Sequence, residues 1–177
     1  TSNGTTHCSF SSPYSLFDRF NGIGRGEVRD FARHEGTLYA ATHENLYRLV
    51  PADQASGRNA AFERVPVDFP FLWTVTSHRS GLLLGGGSGM ALLKDEQLTW
   101  IIKDNVARID HVAWSRSQPD RLFLGRESGL GFIRYRDGVW KDEGTLGGLT
   151  ANVRSIVEDP DGTLWLGTPT RGVIRVN

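Results

Sequence analysis

Cysteine is all but missing from these 177 residues: Cys8 stands alone. No internal disulfide can form, and no CxxC pair exists to build a zinc or redox site. A single thiol says nothing about the redox compartment. Long apolar runs are missing too. The longest, from Gly81 to Met90, is broken by glycines and falls well short of the roughly 20 residues that a membrane helix needs. An excess of either charge is also lacking, with twenty basic against twenty acidic residues. A generic nucleic-acid or anionic-membrane surface needs clustered Lys and Arg, so no nucleic-acid partner is expected. The chain opens Thr1-Ser2-Asn3, with no methionine and no basic-then-apolar signal segment. It reads as a mature or excised piece of something larger.

What the sequence does hold is glycine, 21 of them, and five tryptophans within a 10% aromatic content. So many aromatics at zero net charge exclude disorder. A turn-rich, aromatic composition points to an all-β protein.

An internal repeat gives that expectation its form. Four short apolar strands end near a glycine or threonine: Leu38 to Thr42, Leu82 to Gly86, Leu122 to Arg126 and Leu164 to Thr168. Their leading leucines recur every 40 to 44 residues, the length of a four-stranded propeller blade. Before each lies an alternating strand, beginning Val28-Arg29, Leu72-Trp73, Ile109-Asp110 and Val153-Arg154, with turn residues between the two. A third strand follows in every unit, at Asn45, Gly89, Gly131 and Gly172, and a fourth in three of them, at Ala61, Leu98 and Val139. The last unit is one strand short. Ser15 to Phe20 alternates as a fourth strand would and is expected to complete that unit. The fold class is therefore an all-β propeller of four four-stranded blades over residues 15–177, after a leader at 1–14. It is either a complete ring closed by the N-terminal strand or half of a larger ring, and sizes of four to eight blades leave both open. A closed ring would be a monomer, and open halves would pair as a homodimer.

The last unit, Val153-Arg154-Ser155-Ile156-Val157-Glu158-Asp159-Pro160-Asp161-Gly162-Thr163-Leu164-Trp165-Leu166-Gly167-Thr168 with Arg171-Gly172-Val173, resembles the two-component regulator propeller repeat. The other units keep its skeleton, with Tyr39, Leu83 and Phe123 in place of Trp165. The resemblance implies the ligand-sensing, periplasmic or otherwise extracytoplasmic part of a bacterial receptor. Its kinase or cyclase output domain would lie outside this chain. The third unit, Trp114 to Asp120, also resembles sialidase-like Asp-box propellers, but the Asp-box spacing is met nowhere.

Catalytic and cofactor motifs are absent. Gly22 to Gly26 and Gly85 to Gly89 are neither a P-loop nor a dinucleotide fingerprint, and at their repeat positions they read as inter-strand turns. Asp159-Pro160-Asp161-Gly162 lacks the remaining ligands of a calcium loop and reads as a hairpin. His7, His34, His43, His78 and His111 show no metal-ligand spacing, and His34 and His78, at equivalent turns, are expected to face solvent. No GxSxG nucleophile occurs. No cofactor, metal or catalytic residue is assigned, and the chain is read as a non-catalytic binding domain.

Trp100, Trp140 and Trp165 are expected to fill space between blades. Trp73 differs, because it occupies the second position of an innermost strand, as do Arg29, Asp110 and Arg154. Those four positions would ring one mouth of the central channel, with His111 beside them adding sensitivity around neutral pH. Two arginines supply forked donors and the tryptophan a stacking face, which suits a small sugar or organic anion. Local salt bridges of the arginines with Glu27, Asp30 or Asp110 are the alternative. A stand-alone lectin-like or protein-interaction module, and less so a sialidase-like hydrolase or lyase, are the competing functions.

Overall fold

The computed structural model describes residues 15–20, 22–24, 26–103 and 108–177; the leader read over residues 1–14, with Cys8, lies outside them. Four antiparallel sheets follow one another along the chain. The first holds β1 (Val28–His34), β2 (Thr37–Thr42), β3 (Leu46–Val50) and β4 (Ala61–Arg64). The second holds β5 (Leu72–His78), β6 (Gly81–Gly86), β7 (Gly89–Lys94) and β8 (Gln97–Lys103). The third is β9 (Ile109–Trp114), β10 (Arg121–Arg126), β11 (Gly129–Arg136) and β12 (Val139–Thr145). The fourth has three strands, β13 (Ser155–Glu158), β14 (Leu164–Thr168) and β15 (Gly172–Val176). Each sheet is an up-and-down meander whose first strand is innermost, and β1, β5, β9 and β13 lie side by side in that order. This is a propeller arrangement.

Strand alternation explains the stacking. Successive side chains point to opposite faces, so Leu82 and Leu84 enter a core shared with Ala32, Ala41 and Leu46 of the first sheet. Leu83, between them, enters a second core with Ile109, Leu122 and Leu124 of the third. Phe123, in turn, packs with Ile156, Leu164 and Leu166 of the fourth. Every sheet in the middle of the series is apolar on both faces and needs a neighbour on each side.

Ser15 to Phe20 forms no strand, and the expected N-terminal closure is not built. The ring of Phe17 instead meets Phe62 edge to face at 5.3 Å. With Ile23 it covers the outward face of the first sheet, over Ala40 and Tyr47. These apolar side chains are satisfied by burying the free face next to them in sequence. No core cluster joins the fourth sheet to the first, so the described residues show the open arrangement of the two expected. The outward face of the fourth sheet is correspondingly bare, with Val157 57% and Val173 69% exposed. Trp165 lies on this face, 39% exposed, and not between two blades. Its indole N–H donates to Asp159 Oδ2 at 2.7 Å. Trp100 and Trp140 do pack at blade interfaces, Trp100 stacked 5.2 Å from Phe69.

Polar groups lock neighbouring sheets together. Asp30 Oδ2 accepts from the Thr74 hydroxyl at 2.7 Å and the Val75 N–H at 3.0 Å, crossing from the first sheet to the second. The buried Glu158 accepts from Ser115, from Ser117 and from the Arg116 N–H, crossing from the fourth to the third. Between the second and third sheets sits His78, which is buried and does not face solvent as its turn position suggests. Trp114 stacks on it at 5.5 Å, Tyr135 and Trp140 meet it edge-on at 4.8 Å, and Ser80 and Asp120 engage its two ring nitrogens. His34 likewise bonds Ser77 across the first interface at 2.9 Å. Burial holds the His78 pKa below the usual histidine value, with Asp120 pulling the other way.

Two outcomes follow from this packing. Leu124→Ala, deleting a fully buried side chain, should cost about 2–5 kcal/mol in urea unfolding, whereas Val157→Ala on the bare face should stay within about 0.5 kcal/mol. Because the folded state favours neutral His78, its contribution is complete above the unfolded pKa of about 6.5 and is lost as pH falls below it. Stability measured by urea titration should therefore drop between pH 7.5 and 5.5, and His78→Gln should make that pH slope shallower.

Candidate functional site

The second position of each inner strand is structurally special. In β1 the pairing with β2 skips from Val28 to Asp30, in β5 it skips from Leu72 to Thr74, and the β9–β10 ladder skips from Ile109 to His111. Arg29, Trp73 and Asp110 are the residues left over, each the extra residue of a β-bulge. In the fourth sheet Arg154 stands at the matching register, immediately before β13, its N–H bonded to the Gly167 carbonyl at 2.8 Å. A bulge leaves one residue unpaired and re-aims its side chain. Three bulges and the matching register in the fourth sheet thus turn four side chains towards one end of the axis.

A cavity of about 300 Å³ opens there, and Arg29, Trp73, Asp110 and His111 all line it. Arg154 is not in its wall and joins through Asp110, with Nε 3.5 Å from Oδ2. Arg29, Trp73, Asp110 and Arg154 belong to one chain of contacts that crosses the four sheets, and His111 lines the cavity beside it. Arg29 donates to Glu27 Oε2 at 2.8 Å, and its guanidinium carbon lies 5.9 Å from the Trp73 ring centre. Arg108 lies over the same ring at 4.3 Å and grips Asp110 through Nε at 3.1 Å and Nη2 at 3.3 Å. Arg154 then pairs with Asp110 and donates to Asn152 at 3.0 Å.

Arg108 is the residue that the sequence reading missed. The signal was available, because a period of two places Glu27 with Arg29, Arg108 with Asp110 and Asn152 with Arg154 on one face. The local salt bridges Arg29–Glu27 and Arg154–Asp110 form as well. They leave most of each guanidinium open: Arg29 uses only Nη1 and Arg154 only Nε in polar contacts among the described residues.

The acids, by contrast, are consumed. Asp110, with a side chain 2% exposed, faces two guanidiniums. Asp30 takes the Thr74 and Val75 donors on one oxygen and the Phe31 N–H on the other. Across the third bulge Arg126 pairs with Ile109 in the ladder, and it is buried with Nε and Nη2 unpartnered. The mouth has donors to spare, and of its carboxylates among the described residues the exposed Glu27 alone keeps an oxygen outside these bonds. His111 is half-buried, and burial lowers its pKa against the pull of Asp30, so it stands neutral at pH 7. The Trp73 ring, expected to offer a stacking face, is already engaged by Arg108 and by His43, whose ring stacks 6.4 Å away at 28°.

Beside Trp73, Phe71 adopts φ +56° and is 55% exposed. Its carbonyl accepts from Gly87 N–H at 2.8 Å, and a Cβ on Gly86 would come within 2.0 Å of that oxygen. Part of the glycine run read as a simple turn therefore lets the Phe71 backbone approach. Among the described residues no group of His, Cys, Asp and Glu could hold a metal ion.

Residues 147–170 match the family model described as two component regulator propeller. No curated protein matches the sequence. Among solved structures, the extracellular domain of the hybrid two component system BT4673 from B. thetaiotaomicron superposes with a TM-score of 0.63 at 15% identity, over 85% of this chain and 21% of that one. A 6-phosphogluconolactonase from Bacteroides uniformis gives 0.58 at 14% identity, over 90% and 57%. YCF48 bound to a D1 peptide gives 0.56 at 16% identity, over 85% and 50%. The chain thus spans about a fifth of the length of the sensor domain and about half of the other two. At these identities the shared property is the fold. The chain is a β-propeller array whose last blade carries a two component regulator propeller repeat.

Proposed function

We propose that this chain belongs to the extracytoplasmic sensing propeller of a bacterial signal-transduction receptor, and that its mouth binds a small organic anion without transforming it. The observation that carries the reading is the donor surplus at the repeated bulge. Arg29 and Arg154 present unused guanidinium N–H groups, while Asp30 and Asp110 are saturated. A neutral sugar needs acceptors as well as donors for its hydroxyls, and the side-chain acceptors left here, Glu27 Oε1 and one nitrogen of the neutral His111 ring, are fewer than the open guanidinium N–H groups. An anion needs only donors, and planar guanidiniums bind carboxylates in a two-pronged geometry. The likeness to an extracellular two-component sensor domain supports the cellular role.

Binding would act on the relation between blades. The contacts from Glu27 through Arg29, Trp73, Arg108 and Asp110 to Arg154 run across all four sheets, so an anion that draws Arg29 or Arg154 inward loads every inter-blade interface. That rearrangement is what an output domain elsewhere in the receptor would read. An organic-anion panel including citrate, galacturonate and 3-phenylpropionate, titrated calorimetrically, should give binding. Arg29→Ala and Arg154→Ala should each weaken it about tenfold or more, the loss of a charge-assisted hydrogen bond. Unchanged affinity in both variants would refute the mouth as the site.

A further inference from the structure

Resting on that reading of the mouth, we infer that Phe71 is its specificity-determining residue and selects an organic anion with a flat, apolar body. Phe71 occupies the position just before its inner strand, equivalent to Glu27, Arg108 and Asn152, the residues that partner the bulge side chains in the other three sheets. In the second sheet that place is held by an exposed phenyl ring.

Three observations set it apart. Its backbone lies in the left-handed region, which a bulky residue rarely adopts and which clusters at binding sites. The surroundings are shaped to hold it there, since Gly86 and Gly87 pass so close that a side-chain carbon on either would meet Phe71 atoms within 2.8 Å. The ring itself is left open although it adjoins a sheet with a neighbour on each side among the described residues, unlike the bare residues of the fourth sheet. Among the described residues the one ring that meets it is the exposed His43, edge-on at 5.2 Å, and His43 in turn stacks on Trp73 beside Arg29. A left-handed backbone and an exposed phenyl ring both work against folding. Together they place an open aromatic face outside the cavity wall, two residues along the chain from Trp73, which lines the cavity with Arg29.

The ligand chemistry follows. A carboxylate on Arg29 directs the rest of the molecule over the rim, where Phe71 offers an aromatic contact and no hydrogen bond. Trp73 cannot serve instead, because its ring is taken by Arg108 and His43. A cavity of about 300 Å³ stands at the small end of ligand sites and takes the carboxylate end, while the ring lies outside its wall on Phe71, which suits an arylalkanoate with a short linker.

The test compares 3-phenylpropionate with propionate by calorimetry on the intact chain. Wild type should bind 3-phenylpropionate at least tenfold more tightly than propionate. Phe71→Ala should bring that ratio below threefold with propionate affinity unchanged, and Phe71→Tyr should keep it. Phe71→Gly, which suits the left-handed backbone, should lose the preference while thermal stability holds or rises, an outcome that a merely structural role for the ring would not give. An unchanged ratio in Phe71→Ala, or no preference in wild type, overturns the inference. If propionate and 3-phenylpropionate bind equally and Arg29→Ala weakens both, the mouth reading survives and Phe71 selectivity alone falls. If neither binds while citrate or galacturonate does, the Phe71 inference alone falls; if no anion of the panel binds, both fall.

Discussion

A sheet that is apolar on both faces cannot stand alone in water, and the rest of this structure follows from that. Leu82 and Leu84 point one way and Leu83 the other; Leu122 and Leu124 oppose Phe123 in the same manner. Each such strand forces a neighbour on either side, and a row of twisted sheets so constrained winds about an axis with its first strands inward. Where no sheet follows, as at Val157, Trp165 and Val173, the face is bare. Where the chain can supply a cover, as Phe17 and Ile23 do for the first sheet, local sequence replaces a blade.

The mouth is a by-product of the same register. A bulge at a fixed step of the inner strand costs one ladder pair and gives one re-aimed side chain, repeated around the axis. Because the bulge is common to the units while the residue in it varies, the fold fixes where the site lies and the residue types fix its chemistry. Arg29, Trp73, Asp110 and Arg154 are four answers to one geometric question. The saturated carboxylates then decide the sign of what remains.

Much of this was legible beforehand because it is periodic. A repeat of about 42 residues announces the blades, and shared register alone located the four mouth residues. What failed was what repeats do not encode. Ser15 to Phe20 alternates well enough for a strand, but alternation serves equally to cover a neighbouring face. His34 and His78 lie at turns, yet three aromatic rings of the third sheet cover His78, and aromatic packing across 40 residues leaves no local trace. Trp165 lacks its neighbour for a reason of topology, not of composition. Arg108 and Phe71 precede the strand boundary, where the repeat has no apolar position to mark them, and only the period of two ties Arg108 to Asp110.

The open end of the array also grades its stability. In a linear array each unit is held by its own hydrogen bonds and its nearest-neighbour interfaces, and cooperative opening starts where interfaces are fewest. The fourth sheet has three strands and, among the described residues, a single covered face. In these residues taken by themselves, Arg154, the last link of the mouth network, therefore rides on the unit that detaches at least cost. Its bond to Asp110 is then a tether between a firm wall and a loose one, and whatever occupies the mouth also sets how often that loose wall lets go.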